Sequence, residues 1–179
     1  MTPSSSNAPA RPTVRFMLAH PAHWMARGFG SGLAPWAPGT CGTLWAWLSY
    51  VVLAPWLSDA QWAALIAASL IIGWWACTVT ARHLGVKDPS AIVWDEIVAF
   101  WLVLWMISPA HWMGQAGAFV LFRLFDAAKP GPVGWADRCF QLPPGSPPGA
   151  AQGWGILWDD LVAAGCTLLI VAFWRAGIS

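Results

Sequence analysis

Residues Ala60 to Ala81 read AQWAALIAASLIIGWWACTVTA, with no charged side chain from end to end. A helix that crosses a bilayer needs about 20 consecutive, mainly apolar residues, and this run fills that length. It is the cleanest of five such stretches. Before it lies Thr43 to Leu57, about 22 Å long by helical rise. After it come Ile97 to Met113, with Pro109 near its end, then Gln115 to Ala128, short and carrying charge, then Leu157 to Trp174. Only Ser58-Asp59-Ala60 separates the first two, so they are expected to form a tight antiparallel hairpin, with Ser58 or Asp59 as N-cap of the second. The expected fold is all-α: an integral membrane bundle of about five helices, with re-entrant or interfacial pieces at the cytoplasmic face.

Composition agrees. The chain is 58% hydrophobic and 9% charged, against roughly 25% charged in soluble domains. Most of its 16 Trp residues suit interfacial anchoring, because Trp concentrates where bilayer meets water. A net charge of +1 gives no basic stripe for nucleic acid. Residues 1–15, MTPSSSNAPARPTVR, are rich in Pro, Ser and Ala and are expected to form a disordered tail without the apolar core of a secretory signal. Residues 16–179 form the membrane-embedded domain. Cys41, Cys77, Cys139 and Cys166 are widely spread with no CxxC pair, so neither a zinc site nor a disulfide framework is expected.

The charges then orient the bundle. With five alternating helices, Arg11, Arg15, Arg27, Arg82, Lys87, Lys129 and Arg138 share one side and Arg175 falls opposite. The positive-inside rule makes the first side cytoplasmic. The acids gather there too. Asp95-Glu96 opens the third helix, Asp159-Asp160 opens the fifth, and Asp126 ends the fourth, three residues after Arg123 and three before Lys129. One acid at a helix N-terminus caps it. Two adjacent pairs exceed that need, and Asp126 sits at the end the macrodipole disfavours. Arg123 and Asp126 also suit an i, i+3 ion pair. Five carboxylates in one small site repel one another unless a cation sits among them. All-oxygen ligands favour Mg²⁺, Mn²⁺ or Ca²⁺ over zinc. The four histidines are expected at the surface or an interface, without ligand-like partners.

The Gly-rich segment Gly28-Phe-Gly-Ser-Gly32, followed by Pro38-Gly-Thr-Cys-Gly-Thr43, leads into the first helix at the same face. Its backbone N–H groups, the helix N-terminus and the hydroxyls of Ser31, Thr40 and Thr43 suit an anion, while small residues equally suit helix packing. The segment lacks the Lys-Ser/Thr ending of a nucleotide P-loop. Arg123 and Lys129 add positive charge suited to phosphate oxygens. The residues thus point to a metal-assisted phosphate site at the cytoplasmic membrane surface, acting on a lipid with a phosphorylated head group.

Four blocks, GFGSGLAPWAPGTCGTL, IVWDEIVAFW, FRLFDAAKPGPVGWADR and GWGILWDDLVAAG, resemble in order and spacing the phosphatidylglycerophosphatase A family. The resemblance spans roughly Arg27 to Gly165. It implies a bacterial inner-membrane enzyme that removes the terminal phosphate of phosphatidylglycerophosphate with Mg²⁺. It implies catalytic roles for Asp95, Glu96, Asp126, Asp159 and Asp160, with Glu96, Asp126, Asp159 and Asp160 as metal ligands. Gly39, Thr40, Gly42, Thr43, Arg123 and Lys129 are the corresponding phosphate-binding set. Ala99 stands where a Gly is common, Leu157 where a Met is common, and Gln141 to Gly153 is longer and richer in Pro than the family pattern. Water, activated by the metal or by a carboxylate, is the expected acceptor, with a covalent aspartyl-phosphate as an alternative course. The rival readings are an ion or solute transporter, which expects polar groups through the bilayer depth, and a noncatalytic scaffold that binds anionic lipid.

Overall fold

The computed structural model describes residues 13–85, 90–141 and 146–178, which form helices and turns with no β-strand among them. The helices are α1 (Val14–Leu18), α2 (Pro21–Ala26), α3 (Pro38–Leu53), α4 (Asp59–Leu84), α5 (Trp94–Ile107), α6 (Trp112–Ala128), α7 (Pro132–Cys139) and α8 (Ala150–Ile178), with a 3₁₀ segment at Gly28–Leu33. Of the expected tail, residues 1–12 lie outside the described residues. Val14 and Arg15 already belong to α1, whose N-cap Thr13 accepts the Phe16 N–H.

α4 and α8 are long and apolar enough to cross a membrane, by length and composition. The other three expected spans are shorter. α3, α5 and α6 have 16, 14 and 17 residues, roughly 21–26 Å by helical rise against a hydrocarbon core of about 30 Å. Local chemistry sets their ends. Ser58 opens α4 through a capping box with Gln61, and Gly85 closes it in the left-handed region at φ 65°. α5 stops at Ile107 instead of running to Met113, because Ser108 precedes a proline and turns extended at ψ 144°. α8 starts at Ala150, well before the expected Leu157. Gly153 and Gly155 lie inside it as points of close approach, where a Cβ would press on Thr78 and Phe140 respectively.

α5 is the central helix, packed on α3, α4, α6 and α8, with Val98, Ala99, Phe100, Val103 and Leu104 fully buried. Two of its tryptophans depart from the interfacial expectation. Trp94 donates its indole N–H to the Ser69 carbonyl at 3.0 Å, and Trp101 donates to Ser49 Oγ at 2.9 Å and the Ala46 carbonyl at 3.1 Å. Both bonds pin α5 to neighbours in a region where a bare indole N–H would lack water. Other tryptophans, Trp36, Trp56, Trp112 and Trp174 among them, are exposed. So are Leu48, Val51 and Val52 on α3, Ile71 on α4, Val120 and Leu124 on α6, and Leu169 and Phe173 on α8. Helices that are apolar outward as well as inward suit membrane association, since water-soluble monomers rarely expose so large an apolar surface.

Candidate active site

Six of the chain's eight acidic residues line one cavity of about 590 Å³: Asp95, Glu96, Asp126, Asp137, Asp159 and Asp160. They come from four helices. α5 supplies Asp95 and Glu96 in its first turn, behind an N-cap, Val93, that makes no side-chain capping bond. α8 supplies Asp159 and Asp160. Because α8 begins at Ala150, this pair sits more than two turns inside the helix, and end-capping does not explain it. α6 supplies Asp126 and α7 supplies Asp137. Arg123 and Lys129 share the lining, so six carboxylates face two cations.

The acids divide by partner. Arg123 pairs with Asp126 one turn on, and its Nη1 lies 3.7 Å from Glu96 Oε1. Lys129 follows α6 as its C-cap in a left-handed conformation (φ 44°, ψ 51°). That bend aims its Nζ at Asp137 Oδ1, 2.5 Å away, and at Asp159 Oδ2, 2.6 Å away. Burial opposes the lysine's charge, but the two carboxylate bonds outweigh it and hold its pKa above the ordinary lysine range. Asp137 was not among the residues singled out from sequence. The signal for it was the position eight residues after Lys129 in DAAKPGPVGWADR.

Asp95, Glu96 and Asp160 form the second group. Each offers an oxygen within 4.8 Å of the others. In addition Asp95 Oδ1, Glu96 Oε2 and Asp160 Oδ2 are buried without a hydrogen-bond partner. Buried carboxylate oxygens are normally satisfied, and three neighbouring acids, each with one unpartnered oxygen, fit a hard divalent cation with oxygen ligands. This group shares Glu96 and Asp160 with the metal set implied by the resemblance and adds Asp95. Asp159 pairs with Lys129, and Asp126 pairs with Arg123 while also bonding Asp160 and lying close to Glu96.

The glycine turn contributes through backbone. The first turn of α3 begins at Pro38, so Gly39 and Thr40 lie inside the helix, where first-turn N–H groups have no intrahelical acceptor. Ala37, Pro38 and Gly39 line the cavity. A Cβ on Gly39 would collide with Glu96 Oε1 and crowd the Arg123 guanidinium. Thr40, Gly42 and Thr43 are not in the lining. Gly42 faces Val93 of the neighbouring chain segment, and the Thr43 hydroxyl donates to the Gly39 carbonyl at 2.9 Å. The Gly28–Gly32 segment likewise packs on Val93, Ile97 and Ala91 at Gly28 and Gly32.

His83 is exposed and His20 partly exposed, as expected, while His23 is buried. His20, His23 and His83 cluster, with His23 Nε2 2.8 Å from His83 Nδ1, and His23 Nδ1 3.0 Å from the Phe16 carbonyl. They join α1 and α2 to the end of α4 and are not part of the acidic cavity.

A family model described as Phosphatidylglycerophosphatase A matches residues 24–175. A phosphatidylglycerophosphatase A from Escherichia coli (strain K12) is 36% identical over 168 residues, covering 92% of this chain and 91% of its own. One from Haemophilus influenzae is 35% identical over 160 residues, covering 89% and 92%. A Bacteroides thetaiotaomicron protein named as a candidate phosphatidylinositol-3-phosphatase is 33% identical over 156 residues, covering 83% and 89%. No solved structure gives a significant match.

Proposed function

The chain belongs to the phosphatidylglycerophosphatase A family and is a phosphoric monoester hydrolase; we propose that it converts phosphatidylglycerophosphate to phosphatidylglycerol and inorganic phosphate. The observation that carries the reading is the single cavity lined by six acids and two cations. Asp95, Glu96 and Asp160 would hold a divalent cation, Mg²⁺ in this reading, with the remaining acids close by. When bound, such an ion neutralises charge and acts as a Lewis acid toward phosphate oxygens.

The chain's own groups do the rest. The α3 N-terminus at Pro38 and Gly39 and the cations Arg123 and Lys129 receive the nonbridging oxygens of the terminal phosphate. They offset charge as the transition state loosens. Arg123 and Lys129 in turn hold Asp126 and Asp159 as oriented acceptors, suited to aligning a water and taking its proton. The water oxygen bonds to phosphorus, the bond from phosphorus to the glycerol oxygen breaks, and that oxygen leaves as the alcohol once protonated.

This reading sets the enzyme in the bacterial inner membrane as a multi-pass protein, with its cavity toward the cytoplasm. Clustering of the acids in one cavity favours hydrolysis at a surface over a transport path, which wants polar groups through the bilayer depth. The test is phosphate release by the detergent-purified protein. Release with Mg²⁺, its loss on chelation, and a drop of about 10²-fold or more in Asp95→Asn and Asp160→Asn with the fold intact are expected. Near-native rates in both variants would remove these residues from the site.

A further inference from the structure

Above Asp159 on the same face of α8, the cavity wall changes character. The carboxylates give way to Ile156, Gly155 and Gln152, with Phe140 and Gln141 facing in from the end of α7. Gln152 precedes Asp159 by seven residues, two helical turns, which puts both on one stripe about 10 Å apart along the axis. The residue is 8% exposed and lines the cavity, and its Oε1 is buried with no hydrogen-bond partner. A buried amide oxygen left without a donor costs free energy. The position is firmly held. Trp74 Nε1 donates to the Ala150 carbonyl at 2.7 Å, Arg82 Nε donates to the Pro148 carbonyl at 3.2 Å, and Gly153 lies directly on Thr78.

An acceptor in this place needs a donor. The nearby Gln141 amide is engaged, donating to Asp137 Oδ2 at 3.1 Å. A lipid whose terminal phosphate rests among the acids would hold its adjoining head-group hydroxyl within the same cavity. We propose that Gln152 is a specificity-determining residue whose Oε1 accepts a hydrogen bond from the head-group hydroxyl next to the scissile phosphate. This rests on the phosphatase reading above. A site built around a hydroxyl rejects the analogue that lacks it far more strongly than an apolar pocket rejects an extra group, because the acceptor is left buried and unpaired.

The experiment compares two lipids in the detergent-purified protein. One is phosphatidylglycerophosphate. The other is its deoxy analogue, in which propanediol replaces glycerol between the phosphates. The native protein should favour the first by at least about tenfold in kcat/KM. In Gln152→Met, similar in size but without the acceptor, that ratio should fall toward one while circular dichroism and the melting curve stay native. A native ratio near one, or a Gln152→Met ratio equal to the native one, overturns the proposal. Should Gln152→Met not fold, inhibition of the native enzyme decides, with phosphatidylglycerol expected to compete better than its deoxy counterpart and equal potency refuting the role. If the native protein releases phosphate from neither lipid, the phosphatase reading itself fails, an outcome distinct from loss of discrimination.

Discussion

Replacing Gly39 by Ala adds one methyl group at the point where α3 meets the acid–arginine pair. The backbone there is helical, so alanine fits it, and Ala favours a helix interior over Gly by about 1 kcal/mol. The obstacle is side-chain only: the new Cβ lands on Glu96 Oε1 and within 3.1 Å of both Arg123 terminal nitrogens. These are the ends of flexible chains, which move aside at small energetic penalty. To restore ordinary contact the Glu96 oxygen must retreat by about 1 Å, a displacement that costs on the order of 10²-fold in rate when it misplaces a reacting geometry. That corresponds to about 2.7 kcal/mol of transition-state stabilisation. Gly42→Ala supplies the contrast. Its Cβ would lie 2.8 Å from Val93 Cβ, an atom fixed to the backbone, so the methyl group overpacks the interface and stability should fall by about 1–3 kcal/mol. Phosphate release and thermal unfolding in the same detergent separate the two. Gly39→Ala should lose about two orders of magnitude of kcat/KM and none of its stability. Turnover within twofold of native would show that the Glu96 and Arg123 positions do not matter, and a parallel loss of stability would make Gly39 a packing residue like Gly42.

Lys129→Met should destabilise the protein by removing the tie between α7 and α8. Because the folded state raises the lysine pKa, its contribution is fully present below the unfolded value of about 10.4 and fades as pH climbs through the native value. The difference in melting temperature between native and variant should therefore be flat through neutral pH and shrink only in strong alkali; a difference that varies between pH 6 and 9 would contradict the assignment. Cys139, exposed at the end of α7, reports orientation: a membrane-impermeant maleimide should label it in inside-out vesicles and not in intact spheroplasts, and the reverse pattern would invert the proposed topology.

Hydropathy made the helices legible, but not their ends. α4 was found within a few residues because its flanks carry strong local signals, Ser58 with Gln61 at one end and Gly85 at the other. α8 begins seven residues before the apolar run at Leu157, because Gly153 and Gly155 let it pack closely on Thr78 and Phe140, contacts that no local pattern shows. At the site, the adjacent acids, Arg123 and Lys129 stood out because charge is rare in an apolar chain. Asp137 and Gln152 did not, because their meaning depends on which helices meet. The His23–His83 bond was hidden for the same reason: 60 residues separate the partners, and no local pattern announces such a pairing. The tying roles of Trp94 and Trp101 are not legible in sequence, because an indole at a bilayer surface and an indole tying two helices together look alike in one dimension.

Outside that cavity the described chain holds a single acid, Asp59, bonded to Trp105 at the start of α4. Most of the acids are thus packed into one small volume, while the outward apolar faces ask only for greasiness. Random substitution should meet very uneven resistance as a result: broad indifference along the outward stripes, and abrupt failure wherever a change reaches the one place where the molecule is electrically expensive to rearrange.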